Sequence, residues 1–412
     1  MPKSATAPGK PSEAPFPWSR SRSPAKISEM SRIYLDNAAT SFPKPEPVYQ
    51  AVDDYQRRLG ASAGRGGYRS AAEAGRIVDQ ARSNLSRLFA AEAAGRFAFA
   101  CNGTDALNSA IHGLLRPGDH VVTTAAEHNS VLRPLRMHAE HGVEVTILDV
   151  DAAGRVNPDD ARQALRPTTR MLVVTHASNV TGAIQPVQDL AEIAREAGVL
   201  TLLDAAQTAG HLPIDLGNLP IDLLACPGHK GLLGPLGTGV LYVRPGLDEQ
   251  FRPLRQGGTG TLSESDRQPE TMPELLEAGN LNVAGLAGLA AGTGWLLEQG
   301  LERVRETMES LTTQIIDGLK RQPKVTIQGD AAAGNRVGVV SLSVEDWSPA
   351  DLAGVLDAEF GIETRAGLHC APRMHARLGT LATGGTLRVS VGPLSQPEDA
   401  EQFLAALAAI NS

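Results

Sequence analysis

The strongest constraint on this chain is a series of short apolar runs spread through residues 119–243. Val121-Val122-Thr123, Glu144 to Leu148, Met171 to Thr175, Val199 to Leu203, Ile221 to Ala225 and Gly239 to Val243 have strand length. Runs that short and that apolar read as strands buried on both faces. Helical stretches at Arg162 to Leu165 and Val187 to Ala197 supply crossovers. The alternation predicts an α/β chain with a mostly parallel, doubly wound sheet. Ligands of such sheets lie at the carboxyl ends of the strands. Two of those ends carry chemistry here: Leu203 runs into Asp204, and Ala225 runs through Pro227-Gly228-His229 to Lys230. An acid and a lysine so placed suit pyridoxal 5'-phosphate (PLP). The lysine forms a Schiff base, and the acid keeps the pyridine nitrogen protonated. By themselves the two residues also read as a helix cap and a surface lysine.

The 412 residues allow a large core and more than one domain. A formal charge of −8 argues against a general nucleic-acid binder, and 4% aromatics against a base-stacking surface. No apolar run is long enough to span a bilayer. Cys101, Cys226 and Cys370 are too few and too scattered for a disulfide framework or a Cys-x-x-Cys metal site, so a reducing cytoplasm and no metal are expected. Residues 1–30 are rich in Pro, Ser and Ala and lack a secretory apolar core, which predicts a disordered tail.

Ordered structure is expected from Ile33, with Asp36 to Pro47 extended and Pro47 to Leu59 helical. A Gly-rich loop then carries Arg65, and Ala71 to Phe89 has helical periodicity. The strand Arg96 to Ala100, the turn Asn102-Gly103-Thr104-Asp105 and the helix Ala106 to Leu115 compose an anion site or an ordinary capped helix. Val283 to Gln299 reads as a long helix rich in Ala, Gly and Leu. Beyond it, helices at Glu302 to Leu319, Ala350 to Glu359 and Pro397 to Ile410 alternate with strands at 325–327, 337–342 and 388–390. The expected division is a large domain over 31–295, with 31–60 covering the site, and a small α+β domain over 296–412.

Leu35-Asp36-Asn37-Ala38-Ala39-Thr40, Glu127-His128-Asn129-Ser130, His176-Ala177-Ser178-Asn179, Asp204-Ala205-Ala206-Gln207, Gly228-His229-Lys230 and Arg365-Ala366-Gly367-Leu368-His369-Cys370-Ala371 follow one another in order. Together they resemble the class V aminotransferase family of fold-type I PLP enzymes, within the cysteine desulfurase and selenocysteine lyase branch. The resemblance covers about residues 32–410.

That resemblance implies a PLP fold with a seven-stranded type of sheet in the large domain. It implies Lys230 as the PLP lysine, Asp204 at the pyridine nitrogen, His128 against the ring face as a catalytic and cofactor-binding residue, and Gln207 at the phenolic oxygen. Thr104 and His229 belong to the cofactor set, and Asn179 lies beside cofactor and substrate. Arg388, with Arg365, takes the substrate carboxylate. Asn280 reaches the phosphate of a partner subunit, so a homodimer is implied. The substrate implied is L-cysteine or L-selenocysteine, and the products of desulfuration are alanine and a persulfide on Cys370, passed on to a sulfur-acceptor protein.

Persulfide formation needs a thiolate, against an ordinary thiol pKa of about 8.5. His369 and Arg365 are the neighbours expected to lower it. Three departures stand out: Leu368 where the SufS-type motif has His, Pro227 where its lysine loop has Ser, and Asn280 where many relatives have Thr. Leu368 and Pro227, with Glu127-His128-Asn129-Ser130, more closely resemble a subgroup called cysteine desulfurase family proteins. Two further readings stay open: selenocysteine lyase, transaminase or epimerase chemistry on the same fold, and a non-catalytic scaffold or relay.

Overall fold

A computed structural model describes residues 32–64, 66–332 and 335–411. The tail over 1–30 and Arg65 lie outside the described residues.

The first part of the chain contributes β1 (Ile33–Tyr34), α1 (Glu46–Asp54), α2 (Arg69–Leu88), β2 (Phe97–Ala100), α3 (Gly103–Leu114), β3 (His120–Thr124) and α4 (Asn129–Glu140). There follow β4 (Glu144–Leu148), α5 (Pro158–Ala164), β5 (Thr169–Thr175), α6 (Val187–Glu196), β6 (Leu200–Asp204), β7 (Leu223–Pro227), β8 (Gly239–Val243) and α7 (Val283–Gln299). The remainder is α8 (Leu301–Leu319), β9 (Val325–Ile327), β10 (Val339–Val344), α9 (Pro349–Phe360), β11 (Ile362–Glu363), β12 (Arg365–Gly367), α10 (Pro372–Arg377), β13 (Thr386–Ser390) and α11 (Pro397–Ile410).

Seven strands form one sheet in the order β2-β8-β7-β6-β5-β3-β4. Only β8 runs antiparallel to its neighbours. The expected mostly parallel sheet is therefore present. β6 and β7 are buried along their whole length, which is why they read as unbroken apolar runs. Along them the side chains alternate between two cores. Leu203, Leu224 and Cys226 face one, and Leu202, Leu223 and Ala225 face the other, where α3 and α4 pack. Burying each leucine contributes about 1.5–3 kcal/mol.

A second sheet, ordered β12-β13-β10-β9, is antiparallel and lies in the last third of the chain. Its core residues Val340, Leu342, Leu356 and Phe403 join the same apolar cluster as one face of the large sheet. The amino-terminal segment ties the two units together. β1 pairs in parallel with β11, and Asp36 bridges to Ser390. Residues 40–44 then cross back to the loop that carries Lys230.

Helix α7 spans the residues expected of it and packs on α1 and α2. Its small residues matter at Gly292, where a Cβ would stand 2.7 Å from the carbonyl oxygen of Leu232. The helix thereby lies directly against the segment that follows Lys230.

Several elements went unread in the sequence. α4 has Pro134 inside it, which breaks a simple helical pattern. The segment around Cys370, read as loop, is the three-residue strand β12, a turn and the short helix α10, which starts on Pro372. Among the described residues no helix is long and apolar enough to cross a membrane.

Candidate active site

Asp204 ends β6, in register between Thr175 of β5 and Ala225 of β7. Its carboxylate is buried and takes one hydrogen bond, 2.9 Å from the Ala206 N–H to Oδ1. Burial pushes its pKa up, and the charge of Lys230 works the other way. Beside it Glu127 is fully buried, its Oε1 accepting from Thr124 Oγ1 at 2.7 Å and from the Thr175 N–H at 2.9 Å. Burial, with the negative charge of Asp204 adding to it, raises Glu127 to about 8. The strand ends are thus braced by a neutral acid beside Asp204.

Lys230 follows β7 through the turn Gly228-His229. Burial first, and then the guanidinium of Arg388, lower its amine to about 8. The loop is clamped at the His229 carbonyl, which accepts from the Ser41 N–H, Ser41 Oγ and Thr40 Oγ1 at 3.1 Å each and from Lys44 Nζ at 3.2 Å. Lys44 is itself lowered to about 8 by burial.

Between these groups lies a cleft of about 100 Å³, partly open to solvent. The start of α3 lines one wall. Asn102 caps it by accepting the Asp105 N–H at 2.9 Å, and Gly103 packs where a Cβ would stand 2.9 Å from Pro227 Cδ. Free N–H groups there make an anion cradle. Thr104 Oγ1 lies 2.7 Å from Ser130 Oγ, which lies 2.8 Å from His128 Nδ1. Gln207, Asn179 and His229 complete the lining, Gln207 holding the Ala38 carbonyl at 3.1 Å.

Arg388, 1% exposed, pairs with Asp36 at 2.7 Å and donates to the Asn179 carbonyl at 3.1 Å. Its Nε has no partner among the described residues. Arg365 sits directly opposite it across β12 and β13. Two like charges facing each other on a sheet repel, and Asp36 offsets the charge of Arg388.

Cys370 is exposed, on a turn in which His369 (φ 49°) and Cys370 (φ 59°) are both left-handed. Asn179 Nδ2 holds the His369 carbonyl at 2.6 Å, and the Asn129 N–H holds the Cys370 carbonyl at 2.7 Å. The expectation for His369 needs correction. It is buried, bonds Thr386 Oγ1 at 3.0 Å, and is driven down to about 2 by burial and then by Arg388. A neutral imidazole supplies no positive charge to the thiol. Cys101 is exposed just after β2, and Cys226 is buried within β7 with its thiol pushed up by burial.

The pocket therefore gathers Thr104, His128, Asn179, Asp204, Gln207, His229 and Lys230. Arg388 and Cys370 do not line it, yet Asn179 joins Arg388 and the turn of Cys370 to it, while Arg365 stands outside the lining, opposite Arg388. Asn280 is exposed and lies outside the lining. Ser130, Asp36, Asn129 and Lys44 went unassigned. Ser130 and Asp36 stand inside the quoted motifs, and a hydroxyl two residues beyond a pocket histidine is the signal that was available.

The donor set fits PLP. A cradle of free backbone N–H groups at a helix start suits a phosphate, and a buried carboxylate without an ion pair among the described residues suits a protonated ring nitrogen. A lysine with a lowered pKa suits a carbonyl. A two-unit α/β chain with this site has the layout of a lysine-anchored cofactor enzyme.

The family profile of class V aminotransferases matches residues 33–403. A probable cysteine desulfurase of Methanothermobacter thermautotrophicus is 36% identical over 87% of this chain and 90% of that protein. A cysteine desulfurase of Haloferax volcanii is 33% identical over 85% of this chain and 83% of its own. The apo structure of a cysteine desulfurase from Thermococcus onnurineus superposes with a TM-score of 0.86 at 32% identity, covering 92% and 94% of the two chains. The chain belongs to the class V aminotransferase family.

Proposed function

We propose that this enzyme is a PLP-dependent cysteine desulfurase that forms alanine and leaves the substrate sulfur on Cys370. The observation that carries the reading is the connection of two half-sites through Asn179. One edge of the pocket holds Asp204 and Lys230, and the same asparagine accepts from Arg388 and holds the turn of Cys370. Its relatives carry the same name.

PLP, when bound, supplies an electron-withdrawing ring that stabilises negative charge at the substrate Cα. The chain's residues do the rest. Asp204 offers its second oxygen to the ring nitrogen. Free N–H groups at the α3 amino terminus, that of Thr104 among them, would receive the phosphate, with His128 and Gln207 at the ring. Lys230, its pKa near 8, presents an amine that both attacks a carbonyl and carries a proton. Arg388 and Arg365 receive the amino acid's carboxylate and fix which Cα bond faces the ring. Cys370 attacks the substrate sulfur. The Cβ–S bond breaks, a sulfur–sulfur bond forms on Cys370, and a proton replaces sulfur at Cβ. L-cysteine plus a thiol gives L-alanine plus a persulfide, with atoms and electrons balanced. An exposed Cys370 suits transfer of that sulfur to an acceptor protein.

Asn280, exposed and away from its own chain's pocket, supports a homodimer in which it serves the partner's phosphate site. Purified enzyme given L-cysteine or L-selenocysteine tests the reading. With a thiol reductant added to free the persulfide sulfur as sulfide, equimolar alanine and sulfide from L-cysteine are expected. A response to selenocysteine alone, or a keto acid in place of alanine, contradicts it.

A further inference from the structure

We propose that His128 has no free basic nitrogen: its Nδ1 is fully occupied as an acceptor, and its only hydrogen, on Nε2, makes it a donor that orients rather than a base that carries protons. The inference rests on reading the pocket as the cofactor site.

The argument begins with a donor that has no choice. His128 caps α4, and the Ser130 backbone N–H points at its Nδ1 from 3.1 Å. A backbone N–H cannot accept, so Nδ1 carries no hydrogen. Ser130 Oγ is 2.8 Å from the same nitrogen and must therefore donate to it. A hydroxyl has one hydrogen. In the 2.7 Å contact between Ser130 and Thr104, the hydrogen then has to come from Thr104. The direction of the whole relay follows: Thr104 donates to Ser130, and Ser130 donates to His128. A neutral imidazole with an occupied Nδ1 keeps its hydrogen on Nε2.

Protonating this ring means placing a hydrogen on Nδ1, directly against an N–H, which breaks the helix cap. The surroundings oppose it as well. The charged groups acting on His128 are Lys230, Arg365, Arg388 and Arg133, all cations. With burial as the largest cause, they lower the ring to about 4. Proton movement at the substrate is thereby left to Lys230, and Ser130 becomes a positioning residue.

The test is nitrogen-15 NMR of the PLP-loaded enzyme labelled at histidine, with His128 assigned by the signals lost in His128→Gln. From about pH 5.5 to about pH 8.5, Nδ1 is expected to keep the shift of an unprotonated acceptor and Nε2 that of an N–H nitrogen. In Ser130→Ala the backbone donor stays and the hydroxyl goes. Nδ1 is then expected to shift towards the free-acceptor value while Nε2 keeps its hydrogen. A hydrogen on Nδ1, or a titration midpoint inside that window, overturns the proposal. So does an Nδ1 signal unmoved by Ser130→Ala. Failure of the chain to take up PLP counts against the cofactor reading instead, and the same spectra of the cofactor-free chain still decide the tautomer.

Discussion

At the scale of single residues the site is governed by burial more than by pairing. Lys230 is lowered to about 8 chiefly because it is desolvated, with Arg388 second, while Asp204 acts in the opposite direction. A free lysine amine needs a pH near 10 to lose its proton. The rate at which the cofactor-free enzyme takes up PLP is therefore expected to rise with pH and level off above about 8, as stopped-flow absorbance would show. A rise that continues towards pH 10 would mean that Lys230 is not desolvated. The same rule removes His369 from the cast around Cys370. Adjacency in sequence suggested a helpful cation, but the side chain turns into the small-domain core and bonds Thr386. Sequence spacing shows which residues are neighbours along the chain; only the fold shows that Cys370 faces water and His369 does not.

Among the elements, those with a strong period were legible and those held by tertiary contacts were not. The β6 and β7 strands and helix α7 announce themselves, because each is apolar for a packing reason that repeats along it. The two-residue strands β1 and β11 are set by pairing across more than 300 residues, which no local pattern encodes. The Cys370 turn is similar. Left-handed backbone at His369 and Cys370 costs on the order of 1 kcal/mol per residue, and Asn179 and Asn129 hold it from distant elements. At Gly292 the reason for glycine is a carbonyl from another segment, that of Leu232. Gly292→Val is expected to destabilise the chain by about 1–3 kcal/mol, because a backbone oxygen cannot move aside as a side chain can. Urea unfolding measures this. A variant as stable as the parent would show that α7 does not pack so tightly behind the Lys230 loop.

Over the whole molecule, one apolar cluster unites the large sheet, the small sheet and the amino-terminal strand. The fold also buries many imidazoles. His128, His176, His211, His229 and His375 are lowered to about 4 and His369 to about 2, burial being the first cause in each. Unfolded, each titrates near 6.5, so below that pH the unfolded chain binds more protons than the folded one. Stability is present above pH 6.5 and is lost as pH falls towards 4, by up to about 1.4 kcal/mol per pH unit for each histidine that differs. The urea midpoint is expected to drop steeply between pH 7 and pH 5; a flat profile would mean that these rings become solvated before unfolding. The central claim, that sulfur passes to Cys370, is tested most directly by giving L-cysteine to the PLP-loaded enzyme and to its Cys101→Ala, Cys226→Ala and Cys370→Ala variants. Trapped persulfide is then located by alkylation and mass spectrometry. One added sulfur on Cys370, and, in a parallel assay with a thiol reductant added, loss of sulfide release in Cys370→Ala alone, is the predicted result. A persulfide on Cys101 or Cys226 with Cys370 unmodified, or undiminished sulfide release by Cys370→Ala, would contradict it.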